Sequence, residues 1–452
     1  MHPDFALLIP PVLSVVLLVG LISGLRLHPF PALILASGFL GIASGLIPTA
    51  TVTTFERGFG GILSTTGLVV GLGSMLGGLL LESGGADRIA SAFTGLGPVT
   101  WIPSTICAAA LLIGLPHLFD VSFIMLVPLV YTIAQRSGLP LLMVGMPLVA
   151  GLMIPHGLLP PHPSPTAALM LFHADAGQTV LYGLLIAVPM AILSGPLFAV
   201  AIIRGRLLRA GGLDGSVAPL FSAPPVDPSR RPLRLGVVVA TILLPPGLMM
   251  VRSFGRGLLA PNSVAFQILD AIGDPVVSML VAVLVAIVVL GLGSGMTMPK
   301  VQTLLGRSLV PAAGIILILG AGGGFKEMFV ATHIGDLVAH GAAAWHISPL
   351  VLVWSVAALM RVAVGSATVA TTMAAGIVAP MAVTAGVSPA LLVLAAGSGG
   401  LMFSHVNDSG FWLFKQYFQL TMLETFRSWT LLVSFQSLLG LVGVLTLNAI
   451  LG

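Results

Sequence analysis

Long runs of apolar residues, separated by short polar segments, make up most of the chain. In the first half, continuous apolar stretches cover residues 5–24, 29–47, about 60–81 and 179–203. A helix of about 20 residues crosses the hydrocarbon core of a bilayer, so each stretch predicts a membrane-spanning helix. Because residues 1–5 contain no basic segment, we expect the first stretch to remain as a helix and not to be removed as a signal peptide.

Four segments rich in glycine, proline or polar residues interrupt other apolar runs. They are PHLFDVS at 116–122, PHGLLPPHPSPT at 155–166, GSAT at 365–368 and SHVNDSG at 404–410. Inside a membrane, non-helical backbone survives only where protein or water satisfies its polar groups. The first and third segments predict the tips of re-entrant helical hairpins at about 99–135 and 347–384. The second and fourth predict broken helices at about 141–172 and 389–414.

The second half of the chain repeats the first at a fixed spacing. GLMIPH ends at His156 and GLMFSH ends at His405, and 405 minus 156 is 249. The same spacing relates two further residue pairs without a gap. These are Gly71 with Gly320 and Asp87 with Asp336. The sequence therefore contains two copies of one unit.

The two copies differ in the charge of their loops. Arg88 and Arg136 of the first copy correspond to Leu337 and Ala385 of the second. Cytoplasmic loops are the ones that retain Lys and Arg, so opposite loop charge predicts opposite crossing directions. The segment between the copies is rich in arginine and predicts a cytoplasmic linker: Arg204, Arg206, Arg209, Arg230, Arg231 and Arg234.

These patterns predict an all-α polytopic membrane protein built from two inverted-topology repeats, each of about five transmembrane helices and one re-entrant hairpin. The repeats cover residues 1–203 and 235–452, and a basic linker covers 204–234. Inverted repeats of this kind are typical of secondary transporters, which bind their solute near the membrane midplane.

Composition supports a membrane protein. The chain is 57% apolar and only 7% charged, whereas soluble domains carry roughly 25% charged residues. Its net charge of +4 arises without a basic stripe interleaved with aromatic residues, so no nucleic-acid partner is predicted. The single cysteine, Cys107, excludes an internal disulfide and a cysteine-based metal site. We expect no metal or cofactor.

The proline-rich break contains the first candidate ligand residues. Five prolines in twelve residues predict that the helix unwinds there, because proline removes a backbone donor and clashes in a helix interior. Unwound backbone frees polar groups for a solute, which makes a set of nearby side chains candidates for substrate binding: His156, His162, Ser164 and Thr166. The alternative is a proline kink in which neighbouring carbonyls satisfy the histidines.

The SHVNDSG break contains the second set. A charge at the bilayer centre costs about 3 kcal/mol on insertion scales, so Asp408 is expected to be paired, protonated or in contact with water. We predict that it carries a coupling proton and that His405, Asn407 and Ser409 bind substrate. The alternative role for Asp408 is an N-cap of the following helix, because Asp is a favoured capping residue. Both roles are compatible.

The hairpin tips supply the remaining candidates. The cost of a buried charge makes Asp120 the second candidate for proton coupling, and the alternative places it in a water-filled vestibule. Gly365, Ser366 and Thr368 form a helix start rich in donors, which suits an anionic solute. Arg361, one turn earlier, is predicted to pair with the carboxylate of the solute or with an aspartate of the protein.

Three of these segments resemble motifs of the gluconate permease (GntP-type gluconate:proton symporter) family of the ion transporter superfamily. They are PPHPSPTAA at 160–168, GSATVA at 365–370 and SHVNDSGFW at 404–412. The resemblance covers nearly the whole chain. It implies a bacterial inner-membrane importer of gluconate or a related sugar acid, driven by the proton gradient, with an elevator-like mobile domain. HPSPT stands where the family more often has glycine after the first HP, which leaves the substrate open.

The predicted function is therefore import of a small carboxylate solute by proton symport. Burial disfavours the charged form of a carboxyl, so a buried aspartate can bind the coupling proton near neutral pH. Sodium coupling, or transport of glycerate or D-serine, remains the alternative, and a homodimer is common for scaffolds of this class. An anion channel and a membrane-embedded hydrolase using Ser404, His405 and Asp408 are less favoured. Those three residues lie too close in sequence for triad geometry.

Overall fold

The computed structural model describes most of the chain. The described residues are 9–95, 97–115, 119–160, 162–204, 231–255, 259–260, 263–332, 348–382 and 387–451. Several positions used above lie outside them: residues 116–118 of the first hairpin tip, Pro161, Asp336, Leu337, Ala385 and most of the predicted linker. The described residues are all-helical: about 85% of them lie in helices, and they contain no strand.

The first sequence copy forms eleven described α-helices. They are α1 Ile9–Val19, α2 Pro29–Ala43, α3 Pro48–Ile62, α4 Leu68–Glu82, α5 Gly85–Gly95, α6 Ile102–Gly114, α7 Phe119–Ser137, α8 Leu141–Leu158, α9 Pro163–Leu171, α10 Ala176–Ile192 and α11 Phe198–Arg204. Short π-helical turns extend α1 and join α3 to α4 and α10 to α11. The predicted broken helix at 141–172 is therefore the pair α8 and α9.

The second copy continues the numbering. Its helices are α12 Leu235–Ile242, α13 Leu244–Gly255, α14 Val264–Ile272, α15 Pro275–Ala286, α16 Met298–Ala331, α17 Pro349–Val364, α18 Ala367–Ala382, α19 Pro389–Gly399, α20 Ser409–Tyr417, α21 Met422–Thr425 and α22 Leu431–Leu451. A π-helical turn, Phe426–Thr430, joins α21 to α22. Helices α17 and α18 pack against each other at the predicted second hairpin.

Seven helical spans in the described part of the chain are long and apolar enough to cross a membrane. The protein is accordingly a multi-pass membrane protein. The third span differs from expectation, because its helix begins at Pro48 and not near residue 60. Proline fits the first helical position, and the threonines that follow bond back to carbonyls of their own helix, Thr51 to Ile47 at 3.1 Å and Thr53 to Thr49 at 3.1 Å. Threonines whose hydroxyls donate to carbonyls one turn earlier do not end a helix.

The chain forms two compact units. Unit 1 contains residues 1–64, 153–198 and 317–452, and therefore combines segments of both sequence copies. Its interior is built from α17, α18 and α19, against which α9 packs. Unit 2 contains residues 65–152 and 199–316. In unit 2, α4 packs against α7 and α15.

Candidate functional site

A buried ion pair between Arg361 and Asp408 forms the centre of the candidate site in unit 1. Arg361 lies in the last turn of α17 with 2% of its side chain exposed, and Asp408 is 14% exposed. The Nη2 group of Arg361 donates to Asp408 Oδ2, and its Nη1 group donates to the carbonyl of Gly365. A cation at a helix C-terminus also complements the helix dipole. Of the two partners predicted for Arg361, the structure has the aspartate.

Asp408 is held by two further groups besides Arg361. It is the N-cap of α20, where its Oδ1 accepts from the backbone N–H of Gly410 at 3.1 Å. Its Oδ2 also accepts from the hydroxyl of Ser404. The expectation that Asp408 is paired is confirmed, and the capping role holds as well.

Ser404 connects this carboxylate to the π-helical turn at Phe426–Thr430. Its hydroxyl oxygen accepts from Trp429 Nε1 at 2.8 Å, and its carbonyl accepts from Thr430 Oγ1 at 2.7 Å. A π-turn is wider than an α-turn and is frequent at functional sites. Trp429 and Thr430 are structural partners of the site that sequence reasoning missed, because they lie 25 and 26 positions from Ser404 in the chain.

His405 and Asn407 lie on the non-helical backbone at 400–408, and their side chains share one hydrogen-bond acceptor. His405 Nε2 lies 3.0 Å from the carbonyl oxygen of Val362, and Asn407 Nδ2 donates to the same oxygen at 2.9 Å. The last four carbonyls of a helix lack partners within the helix, and Val362 is one of them in α17. Side chains of the break at 400–408 thus provide hydrogen bonds for a carbonyl at the C-terminal end of α17.

The proline-rich break is shorter than predicted. Helix α8 continues to Leu158, so Pro155 and His156 lie in helix, and only residues 159–162 separate α8 from α9. The expectation that His156 lies on unwound backbone was wrong. Membrane helices tolerate proline where neighbouring groups satisfy the freed carbonyl, and the Pro155 carbonyl itself still accepts from Leu159 N at 3.0 Å.

The two histidines of this break are close to each other and to the ion pair. The rings of His156 and His162 meet edge to face with centroids 5.5 Å apart. His156 and His405 both lie within range of the charges of Arg361 and Asp408. The structure therefore brings the proline-rich break and the SHVNDSG break together.

Hydroxyl groups join the proline-rich break to the second hairpin. Ser164, in the first turn of α9, donates to Thr371 Oγ1 of α18 at 2.8 Å, and both side chains are fully buried. Ser366 accepts from the backbone N–H of Val369 at 3.4 Å at the start of α18. The remaining predicted hydroxyl residues also lie in first helical turns, Thr166 in α9, Thr368 in α18 and Ser409 in α20. Thr371 is a third residue of the site that sequence reasoning missed.

Several polar atoms of this cluster are buried without a hydrogen-bond partner among the described residues. They are Arg361 Nε, His405 Nδ1, Asn407 Oδ1, His156 Nδ1 and Thr166 Oγ1. Buried polar atoms are almost always paired, and an unpaired one costs about 1–3 kcal/mol. Because His405 Nε2 and Asn407 Nδ2 face a carbonyl oxygen, both carry hydrogen there, which makes His405 Nδ1 and Asn407 Oδ1 acceptors. One cationic donor and two acceptors are thus free to bind a solute.

Asp120 belongs to unit 2. It lies in the first turn of α7, and its Oδ2 is 3.5 Å from the hydroxyl of Thr66. It is half-buried.

The bonds around Ser404 do not form a hydrolytic triad. Ser404 donates directly to Asp408, whereas the Nε2 atom of His405 is bonded to the carbonyl of Val362. A triad needs the histidine between serine and carboxylate. The geometry favours a binding site for a solute.

Comparisons with known proteins identify the family to which the chain belongs. The family model described as GntP family permease matches residues 6–450. The chain is 44% identical to a gluconate permease of Pseudomonas aeruginosa, with 100% of this chain and 99% of that protein covered. It is 40% identical to the high-affinity gluconate transporter of Escherichia coli, with 97% and 98% covered. It is 38% identical to the Gnt-II system L-idonate transporter of E. coli, again with 97% and 98% covered.

Proposed function

The chain belongs to the GntP permease family, and on that premise we propose that it imports gluconate or a related small sugar acid by proton symport. It is a membrane transporter and not an enzyme, as its relatives are transporters and permeases along their whole length. The relatives are bacterial, which supports a location in the bacterial inner membrane.

One observation supports a carboxylate solute above all: the buried guanidinium of Arg361 next to unpaired acceptors. Within the described part of the chain, Arg361 is the only lysine or arginine that is buried. An anion that enters a low-dielectric site needs such a cation, because an isolated buried charge is very costly. The acceptors His405 Nδ1 and Asn407 Oδ1 suit the hydroxyl donors of a sugar acid.

The proposed binding mode uses the helix ends that meet in unit 1. The solute carboxylate lies at Arg361 and at the helix start after Gly365, where backbone N–H groups and the helix dipole favour an anion. Its hydroxyls bond to side chains of the breaks: Ser164, Thr166, Ser366, Thr368, Asn407 and Ser409, with His156, His162 and His405 beside them. The coupling proton is carried by Asp408 or Asp120.

The proposed transport cycle follows from the repeated sequence. Two copies that cross the membrane in opposite directions provide one access path from each side, and an elevator-like movement of one part against the other exposes the site alternately. No cofactor is required, since the proton gradient supplies the driving force. A homodimer is the proposed assembly.

Uptake into proteoliposomes tests this function. Labelled gluconate, L-idonate, glycerate and D-serine are offered with an inward pH gradient or an inward sodium gradient, each imposed alone. We expect saturable gluconate accumulation with the pH gradient, counterflow against unlabelled gluconate, and recovery of the solute chemically unchanged. Accumulation with sodium alone would establish the alternative coupling ion, and preference for D-serine the alternative solute. Flux without saturation or counterflow would indicate a channel.

A further inference from the structure

One edge of the Arg361 guanidinium is only half used. The Nε and Nη2 groups lie on the same edge of the planar guanidinium, and together they can hold both oxygens of a carboxylate. Nη2 donates to Asp408, whereas Nε is buried and has no hydrogen-bond partner among the described residues. Because Nη1 is fixed by the Gly365 carbonyl, the guanidinium cannot turn a different edge to an incoming anion. A carboxylate that takes both Nε and Nη2 competes with Asp408 for Nη2.

Asp408 has partners that remain when it leaves Arg361. Its Oδ1 is held separately by the N–H of Gly410 at 3.1 Å. Its Oδ2 contacts the hydroxyl of Ser404, which can accept as well as donate because a hydroxyl has one proton and two lone pairs. Trp429 Nε1 uses one of those lone pairs. A protonated Asp408 can therefore donate to Ser404, whose own hydroxyl proton then turns away from Asp408 while Trp429 Nε1 keeps its bond to the hydroxyl oxygen.

Charge balance favours exchange of one carboxylate for the other. With Arg361 and Asp408 paired, the ion pair is neutral. With a solute carboxylate on Arg361 and a proton on Asp408, it is neutral again. Solute without the proton leaves one negative charge, and the proton without solute leaves one positive charge, and both are costly in a buried site. Among the described residues, the other titratable groups that interact electrostatically with Asp408 are His156 from α8 and His405 from its own segment.

We propose that the solute carboxylate replaces Asp408 on the Nε–Nη2 edge of Arg361 while Asp408 takes up one proton from water, so that the protein carries its solute as an electroneutral acid. A hydroxyl or amine beside the carboxylate donates to His405 Nδ1 or Asn407 Oδ1. This inference rests on the proposed function, because it assigns the coupling proton and the solute anion to one pair of residues.

Proton uptake on binding tests the exchange. Gluconate is added to purified full-length protein in nanodiscs in weakly buffered solution near neutral pH, with a pH indicator, and binding is measured in parallel with labelled gluconate. We expect close to one proton taken up per gluconate bound. Asp408→Asn is expected to bind gluconate without proton uptake. Asp270→Asn is the control, since that carboxylate pairs with Arg252 in unit 2, and we expect it to behave like the unmodified protein.

Two further measurements keep the test decisive if Asp408→Asn does not fold. In proteoliposomes of unmodified protein at a fixed pH gradient, a potassium diffusion potential of either sign should leave the initial uptake rate unchanged, because no net charge moves. Arg361→Lys keeps the charge but loses the two-donor edge, and we expect its gluconate affinity to fall about tenfold or more.

The outcomes separate the two proposals. Saturable gluconate binding without proton uptake, or uptake that follows the membrane potential, overturns the exchange and leaves the proposed function standing. Absence of binding for every acid tested overturns both.

Discussion

At the scale of single residues, Arg361 has two tasks that share one guanidinium. It bonds to the carbonyl of Gly365, which closes its own helix, and to Asp408, which begins another helix. The helix end, the hairpin tip and the start of α20 are therefore ordered by one side chain. Backbone geometry at the tip has to be correct for that side chain to reach both partners.

Gly365→Ala is expected to abolish uptake. Gly365 has φ = +75°, where an L-residue is strained by about 1–2 kcal/mol. A Cβ there would lie 2.2 Å from the carbonyl oxygen of Asn407, so the backbone would have to shift. The control is Gly376→Ala in the adjoining helix, where no atom lies within 4 Å of the added Cβ. Uptake and thermal unfolding in detergent are measured for both, and equal uptake by the two variants would contradict the proposed tip geometry.

The sequence predicted which residues of the site carry charge but not which of them pair. The cost of burying the charge of Asp408 predicted that it has a partner. The sequence left Arg361 with a solute carboxylate or a protein aspartate as its partner, because no local pattern connects two residues that are 47 positions apart. Trp429 could not be found, since its partner Ser404 lies 25 positions away in the chain. His156 was placed wrongly because the rule that excludes proline from helix interiors is weaker where surrounding protein satisfies the backbone.

At the scale of elements, glycine determines how closely α3 and α16 approach. A Cβ on Gly323 would lie 2.3 Å from Ile62 Cγ1 and 2.6 Å from the carbonyl oxygen of Gly58. A Cβ on Gly58 would in turn lie 2.4 Å from the carbonyl oxygen of Gly323. Small residues permit such backbone contact between membrane helices.

Gly323→Ala is expected to destabilise unit 1 by about 1–3 kcal/mol, the usual cost of overpacking. Gly314→Ala, on the same helix, meets no atom within 4 Å and should be neutral or slightly stabilising, since alanine has the higher helix propensity. The free energy of unfolding in mixed detergent micelles gives the comparison. A loss of stability of the same size in both variants would show that helix propensity, and not contact with α3, accounts for the effect.

The hydrogen bond between Ser164 and Thr371 joins an element of the first copy to an element of the second. We expect a double-mutant cycle with Ser164→Ala and Thr371→Val to give a coupling energy near the average of about 0.6 kcal/mol, and at most about 1.7 kcal/mol, found for side-chain hydrogen bonds between membrane helices. Thr372→Val is the matched control, because Thr372 bonds to the Thr368 carbonyl of its own helix at 2.7 Å. A cycle of Ser164→Ala with Thr372→Val should show no coupling. Equal coupling energies in the two cycles would show that the coupling does not come from the hydrogen bond between Ser164 and Thr371.

At the scale of the whole molecule, the repeat in the sequence predicted the order of elements better than their lengths. The helix pairs α6–α7 and α17–α18 occupy corresponding places in the two copies, and each is followed by a broken helix. Helix lengths were less predictable. Helix α3 begins earlier than predicted because its threonine hydroxyls donate to carbonyls one turn earlier. Packing between copies was not predictable from the sequence, because it depends on contacts such as Ser164 with Thr371 that are distant in the chain.

The direction in which each copy crosses the membrane is tested with two equivalent prolines. Pro140 precedes α8 and Pro389 begins α19, they are 249 residues apart (389 minus 140), and both are exposed. In a Cys107→Ala background, which removes the single cysteine, Pro140→Cys and Pro389→Cys are labelled with a membrane-impermeant maleimide in right-side-out and in inside-out vesicles. Loop charge predicts labelling of position 140 from the cytoplasmic side only and of position 389 from the outer side only. Permeabilised vesicles, where both positions should react, are the control, and labelling of both from one side would show that the copies run in parallel.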